Sequence, residues 1–217
     1  MMDAAEFQRI AKVPQEVFDD YQEWSNLLTH WNKKINLVSA STVSNFWLRH
    51  ALDSFQLTQF IPAQATTILD MGSGAGFPGL AFAIHAGQMQ NGQHVTLVES
   101  NGKKCNFLRA VIRALDLPAT VLQARAENMQ PKPYDVITAR AFAPLPKLLG
   151  YSTPFWTPNT LGIYPKGERW QDEVKAAQKQ WRFTFEAKDS QTDEAAKILL
   201  VSGLKRVNTR YTSGENT

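Results

Sequence analysis

Asp70, Gly72, Gly74 and Gly76, followed by Glu99, form the group of residues in this chain whose types and spacing suit chemistry. They sit in "TTILDMGSGAGFPGLAFAIHAG", residues 66–87, and at the end of "HVTLVE". An apolar run, a glycine-rich loop and a second apolar run read as strand, loop and helix. A chain gives up side chains in that way where its backbone must approach a ligand, and a helix N-terminus there offers free N–H groups. "GAGFPG", residues 74–79, also matches G-x-G-x-x-G, so an NAD-type ligand is one reading. A second is a tight turn with Asp70 capping the helix. A third follows from the two acids. A carboxylate at Asp70 suits an ammonium group and would repel a pyrophosphate, and Glu99 can accept both ribose hydroxyl protons. An amino-acid end plus a ribose end describes S-adenosylmethionine, the reading the pattern favours.

Positioning such a loop needs a sheet whose strands carry ligands at their carboxyl ends. Seven short apolar runs supply the strands: "TTIL", "HVTLVE", "ATVLQ", "YDVITA", "TLGIYP", "WRFTFEA" and "KILLVS". Helical segments near 76–87, 101–116, 144–156 and 168–180 separate most of them. This alternation predicts an α/β fold with a mainly parallel seven-stranded sheet. Only "KDSQTDEA" joins the last two strands, which predicts an antiparallel terminal pair. Before the first strand, Val17, Tyr21, Trp24, Leu28, Trp31 and Ile35 recur at helical spacing, and "VSNFWLRHALDSFQLTQF" reads as a second amphipathic helix. The expected organisation is a helical extension over 1–62 packed on the sheet, a main domain over 63–207 and a polar, disordered tail over 208–217.

Composition bounds the class. Of 217 residues 43% are hydrophobic and 20% charged, which suits a globular chain rather than a disordered one. No apolar run approaches the ~20 residues of a membrane helix, and "MMDAAEFQRI" lacks a signal-peptide pattern, so no membrane partner and a cytoplasmic location are expected. A single cysteine, Cys105, excludes an internal disulfide and leaves no Cys/His zinc cluster; no metal is expected. The net charge is +3, with residues 1–60 at −2, residues 61–165 at +3 and residues 166–217 at +2. An anionic partner would therefore meet the middle and end of the chain.

"LDMGSGAGFPGLAFAI", "LVESNGKKCNFLRAV", "ARAEN", "YDVITARAFAPL" and "IYPKG" occur in order, preceded by "HWNKKINLVSAST" and "LRHALDSFQL". Together they resemble the bacterial ribosomal RNA small-subunit methyltransferase G family, also called glucose-inhibited division protein B, over residues ~20–205. Met71, Asn101 and Ala139 depart from the usual pattern without touching a position assigned to chemistry. The resemblance implies a Rossmann-like class I methyltransferase fold with S-adenosylmethionine as cofactor. The reaction it implies is N7 methylation of guanine 527 in the 530 loop of 16S rRNA, and the partner 16S rRNA or the 30S subunit or an assembly particle, met by a monomer. The residues are compatible with that target atom. "TARAFAP" lacks the N/D-P-P-Y/F stretch used on exocyclic amines, and Cys105 in "KKCNFL" reads as a small buried residue rather than the nucleophile a C5 methylation needs. Alternatives from the residues alone are a same-fold methyltransferase for another RNA, protein or small molecule, and a non-catalytic cofactor-binding module that docks on rRNA.

The expected cofactor residues are Asp70, Gly72, Gly74, Gly76, Phe77, Glu99, Ala126, Glu127 and Arg140. The resemblance places Phe77 against the cofactor, main-chain contacts to adenine at Ala126 and Glu127, and Arg140 in the cofactor site. No general base is required at guanine N7, which carries its own lone pair. Arg140, Lys166 and Phe142 are the candidates for positioning the substrate, the first two through phosphate and the ring by stacking. Lys103, Lys104, Arg109 and Arg113 are further RNA candidates, while Trp24, Trp31 and Trp47 read as core and Arg49, His50 and Asp53 as a structural network.

Overall fold

The computed structural model describes residues 2–207. The expected tail at 208–217 lies outside the described residues. Eight α-helical segments appear: α1 (Ala4–Ala11), α2 (Gln15–Asn32), α3 (Ala40–Val43), α4 (Asp53–Phe55), α5 (Gly79–Met89), α6 (Gly102–Ala114), α7 (Leu145–Ser152) and α8 (Trp170–Gln178). The strands are β1 (Thr67–Met71), β2 (His94–Glu99), β3 (Ala119–Gln123), β4 (Val136–Thr138), β5 (Leu161–Lys166), β6 (Trp181–Asp189) and β7 (Lys197–Arg206). They form one seven-stranded sheet in the order β3-β2-β1-β4-β5-β7-β6. Only β7 runs antiparallel to its neighbours β5 and β6; every other pairing is parallel.

Strand alternation assigns each side chain to a layer. In β1, Ile68 joins the core shared with α5, α6 and the N-terminal helices, while Leu69 and Met71 join the core under α7 and α8. Asp70 is two residues from Ile68, so it too points toward α5. At the opposite end of β1, the Asp135 carboxylate accepts from the backbone N–H groups of Thr66 and Thr67, both at 2.9 Å. These bonds hold that carboxyl below its usual pKa against the opposing effect of burial and set the β1–β4 register. The order reverses beside β1, between β2 and β4, and ligands of open α/β sheets bind outside such a point.

The N-terminal elements differ from the sequence reading in two places. α1 was not anticipated, because Phe7 is its only fully inward residue and gives no periodicity. Asp3 caps it through the Glu6 N–H, and Phe7 packs 4.9 Å from the Tyr21 ring and 5.4 Å from Trp47. The helix expected across residues 43–60 is instead broken into a π-helical stretch (Trp47–Leu52), α4 and a 3-10 turn (Thr58–Phe60). Widened turns of this kind concentrate at functional sites. Here the Arg49 carbonyl accepts from the Arg140 guanidinium at 3.0 Å, a partner 91 residues away.

Candidate functional site

Two cavities open at the carboxyl ends of the parallel strands. The smaller, about 300 Å³, is lined by Gly72, Glu99 and Ser100 on one side and Arg125, Ala126 and Glu127 on the other. The larger, about 670 Å³, lies past β4 and β5, beneath the residues that join β6 to β7. Ala141 and Phe142 line both. They are the wall between the two spaces.

The loop after β1 is shaped for the smaller cavity. Its Ser73 N–H donates to the Val98 carbonyl at 2.9 Å, which ties it to the end of β2. The Gly74 N–H then donates to Glu99 Oε2 at 3.0 Å, while Glu99 Oε1 accepts from the Asn101 N–H at 2.7 Å. The carboxylate is thereby fixed but not saturated, since two oxygens offer about four acceptor sites. Gly74 has φ +57°, and a Cβ built there meets nothing closer than the Gly72 carbonyl at 3.8 Å. That open space beside a polar backbone is a cradle a side chain would fill. At Gly72 an added Cβ would collide with the Phe142 ring, so glycine lets the wall close over the loop. These residues fit a ligand with hydroxyls for Glu99 and a polar end for the loop backbone. S-adenosylmethionine has both.

Five expected cofactor residues, Asp70, Gly74, Gly76, Phe77 and Arg140, are not in the lining of the smaller cavity; Gly74 touches it only through its bond to Glu99, and Arg140 lines the larger one. Asp70 is fully buried beneath the loop, where its Oδ2 accepts from the Gly79 N–H at 3.2 Å. It caps α5 rather than meeting an ammonium group, and burial pushes its carboxyl up to about 7. A Cβ on Gly76 would strike Leu80 and Leu108, so that glycine serves packing against the core. Phe77 is 5% exposed and stacks on His50, 4.1 Å away at 9°, with Trp24 at 4.9 Å. It faces the helical extension and not the smaller cavity. Gly72, Glu99, Ala126 and Glu127 do line that cavity.

The substrate candidates also need correction. Arg140 is not a free cation: it donates to Asp53 Oδ2 at 2.7 Å and to the Arg49 carbonyl at 3.0 Å, and it lies 3.1 Å from His50 Nδ1. Its guanidinium carbon also sits 4.8 Å from the Phe77 ring centre. Asp53 accepts in turn from the Thr192 hydroxyl at 2.7 Å, and Gln56 Oε1 from the Gln191 N–H at 2.7 Å. The helical extension is thus sewn to β4 and to the β6–β7 connection, which bears on the structural network expected for His50 and Asp53. Lys166, with a side chain 9% exposed, pairs with Glu173 at 2.8 Å and donates to the Ala143 carbonyl at 3.0 Å. Glu173 also accepts from the Leu145 N–H at 2.6 Å. Lys166 and Glu173 together hold the Ala143–Leu145 backbone. Phe142 stands between these two anchorages. Its neighbour Ala141 has φ +52°, a left-handed conformation that costs an ordinary residue about 1–2 kcal/mol. The anchors on either side offset that cost.

Sequence reasoning missed the Ala141 conformation and the contribution of Ser190, Thr192 and Asp193 to the larger cavity. It also missed Arg49 as a residue of that cavity's lining. Cys105 is fully buried and its thiol donates to the Glu99 carbonyl at 3.2 Å; burial raises its pKa. Trp24 is fully buried and Trp31 and Trp47 pack against the same core. No group of three or more His, Cys, Asp or Glu that could hold a metal occurs among the described residues, nor any helix long and apolar enough to cross a membrane.

The profile of the rRNA small subunit methyltransferase G family matches residues 18–198. A relative from Hyphomonas neptunium named ribosomal RNA small subunit methyltransferase G is 42% identical over 206 residues, covering 95% of this chain and 97% of the relative. One of the same name from Caulobacter vibrioides (strain NA1000 / CB15N) is 41% identical over 207 residues, covering 95% and 94%. Among solved structures, an O-methyltransferase from Bacillus cereus in complex with SAH superposes with a TM-score of 0.63 at 17% identity, covering 92% of this chain and 97% of that one. M. jannaschii TYW2 in complex with AdoMet gives 0.55 at 15%, covering 81% and 80%. At such identities the structures show a shared fold.

Two outcomes follow from this geometry. Gly74→Ala places a methyl group in the open space beside the loop. Calorimetry should show S-adenosylhomocysteine binding lost by tenfold or more, while the left-handed φ lowers stability by only about 1–2 kcal/mol. Unchanged affinity would remove the loop from the site. His50 is buried beside Arg140 and Arg49; burial first, then the two guanidinium groups, depress its pKa to about 3. The unfolded chain, with its histidine near 6.5, binds the extra proton between these values. Stability contributed by neutral His50 is therefore complete above pH 6.5 and lost as pH falls toward 3. The melting-temperature advantage of the native chain over His50→Phe should shrink steadily from pH 7 to pH 4. A constant difference would contradict the buried neutral imidazole.

Proposed function

This chain belongs to the rRNA small subunit methyltransferase G family, and we propose that it transfers a methyl group from S-adenosylmethionine to N7 of guanine 527 in the 530 loop of 16S rRNA. The observation that carries the reading is the shared wall. One cavity fits a ribose-bearing cofactor, and a larger one shares Ala141 and Phe142 with it. That layout suits a reaction between two bound groups held in line, in which positioning supplies much of the acceleration.

The cofactor supplies an electrophilic methyl group on a sulfonium. Glu99 would take the ribose hydroxyls, the Gly72–Gly74 backbone would take the amino-acid end, and Ala126 and Glu127 would border the adenine. The Phe142 ring presents its other face to the guanine, where base–aromatic stacking contributes roughly 1–3 kcal/mol. Guanine N7 would attack the methyl carbon with its own lone pair as the carbon–sulfur bond breaks, which would release neutral S-adenosylhomocysteine and move the positive charge onto the purine ring. No proton departs from N7, so the chain needs no general base. The buried Asp70 and Cys105 are consistent with that. Arg140 and Lys166 act by holding the loop on which Phe142 stands. The chain works as a monomer in the cytoplasm, with naked 16S rRNA or a 30S particle as its partner. Residues 1–62 form the extension that braces the site and 63–207 the catalytic domain.

Methyl transfer from labelled S-adenosylmethionine to 16S rRNA and to 30S subunits, with the base mapped by borohydride–aniline cleavage, tests the reading. Cleavage should fall at one guanine in the 530 loop. Cys105→Ala should transfer methyl at the native rate. Modification at another atom, or an inactive yet folded and cofactor-binding Cys105→Ala, would overturn the proposed chemistry.

A further inference from the structure

Four cationic side chains line the larger cavity: Arg49, Arg140, Lys166 and Lys197. Three are matched. Arg140 is paired with Asp53 at 2.7 Å, Lys166 with Glu173 at 2.8 Å, and Lys197 with Asp189. The guanidinium of Arg49 has no hydrogen bond or ion pair to any described residue, and Arg49 is exposed. Its backbone, by contrast, is held. The Arg49 N–H donates to the Asn45 carbonyl at 2.9 Å and its own carbonyl accepts from Arg140 at 3.0 Å. A guanidinium carried on a fixed backbone and left without a carboxylate partner can take a phosphate in its planar fork. Asp193 is the remaining acid of the lining, and its Oδ1 accepts from the Ala195 N–H at 3.0 Å.

We infer that Arg49 is the phosphate-binding residue of the larger cavity, taking a backbone phosphate of the RNA strand whose guanine lies on Phe142. Arg49 and Phe142 line the same space from opposite partners, the helical extension and the β4 loop. A nucleotide with its base on the ring can then reach Arg49 through its phosphate. Carboxylate partners for the other three cations keep the site from holding free phosphate by charge alone, and the unmatched guanidinium gives the strand its register. This rests on the methyltransferase reading only for the identity of the base. The phosphate contact is measured separately, through RNA binding without methyl transfer.

The test is filter binding of a 16S rRNA fragment carrying the 530 loop, with S-adenosylhomocysteine present, across a salt series. The full-length native chain, Arg49→Gln and Arg49→Lys are compared. Arg49→Gln should bind about tenfold more weakly at low salt. Its slope of log affinity against log salt should be shallower by roughly 0.7, the release expected for one phosphate contact on a single strand. Arg49→Lys keeps the charge and should restore the slope while recovering only part of the affinity. Calorimetry should show S-adenosylhomocysteine affinity within twofold of native in both variants. A native slope in Arg49→Gln, or an Arg49→Lys slope no steeper than that of Arg49→Gln, overturns the assignment. Failure of the native chain to methylate guanine would sink the proposed activity and leave the salt-slope result to decide the phosphate contact by itself.

Discussion

The Arg140 guanidinium is the contact on which the rest of the site depends. It begins the loop after β4 and reaches across to a carboxylate, a main-chain carbonyl, an imidazole nitrogen and an aromatic ring, all from elements outside its own loop. A guanidinium offers five donors in a rigid plane, and no other side chain could meet this set of partners from one position. The pair with Asp53 is partly buried, with side chains 19% and 21% exposed. Screening by solvent limits what it adds to net stability. Its consequence is geometric. It fixes where the helical extension stands relative to the carboxyl ends of the strands, and it holds Ala141 in a conformation that the chain would otherwise leave.

That fixed loop explains how one short segment serves two cavities. Lys166 and Glu173 secure its far end through the Ala143 carbonyl and the Leu145 N–H. Phe142 is then presented between two anchors rather than on a free tip. The same pairings neutralise cations that, left open, would make the cavity a general anion trap. A lysine at the end of β5 and an arginine after β4 look from composition like an RNA path. In the structure each is held by a carboxylate, Asp53 or Glu173.

The sheet was legible because its residues obey local rules. Each of the seven apolar runs became a strand, and the short "KDSQTDEA" connection produced the antiparallel pair that length alone demanded. The glycine loop was legible as the turn after β1, where Gly74 at φ +57° donates its N–H to Glu99 at the end of β2. What was not legible depended on partners distant in sequence. The break in the helix around Trp47–Leu52 is bound up with an arginine 91 residues on. The role of Lys166 is set by Glu173, which a helical pattern presents as one more surface acid. Asp70 was read as a ligand because its position at a strand end was visible, while the direction of its side chain depends on which core its face adjoins. α1 was missed because one buried phenylalanine carries no period.

The division of the site into a cofactor space and a target space joined at Phe142 is tested most directly by a crystal structure of the chain with S-adenosylhomocysteine. The ribose hydroxyls should lie on Glu99 and the adenine between Ser100 and Ala126, with the sulfur directed to the Phe142 side. The larger cavity should remain open, and Arg140 and Lys166 should keep Asp53 and Glu173. Density for the ligand in the larger cavity, or an Arg140 that leaves Asp53 to bind its carboxylate, would contradict the division.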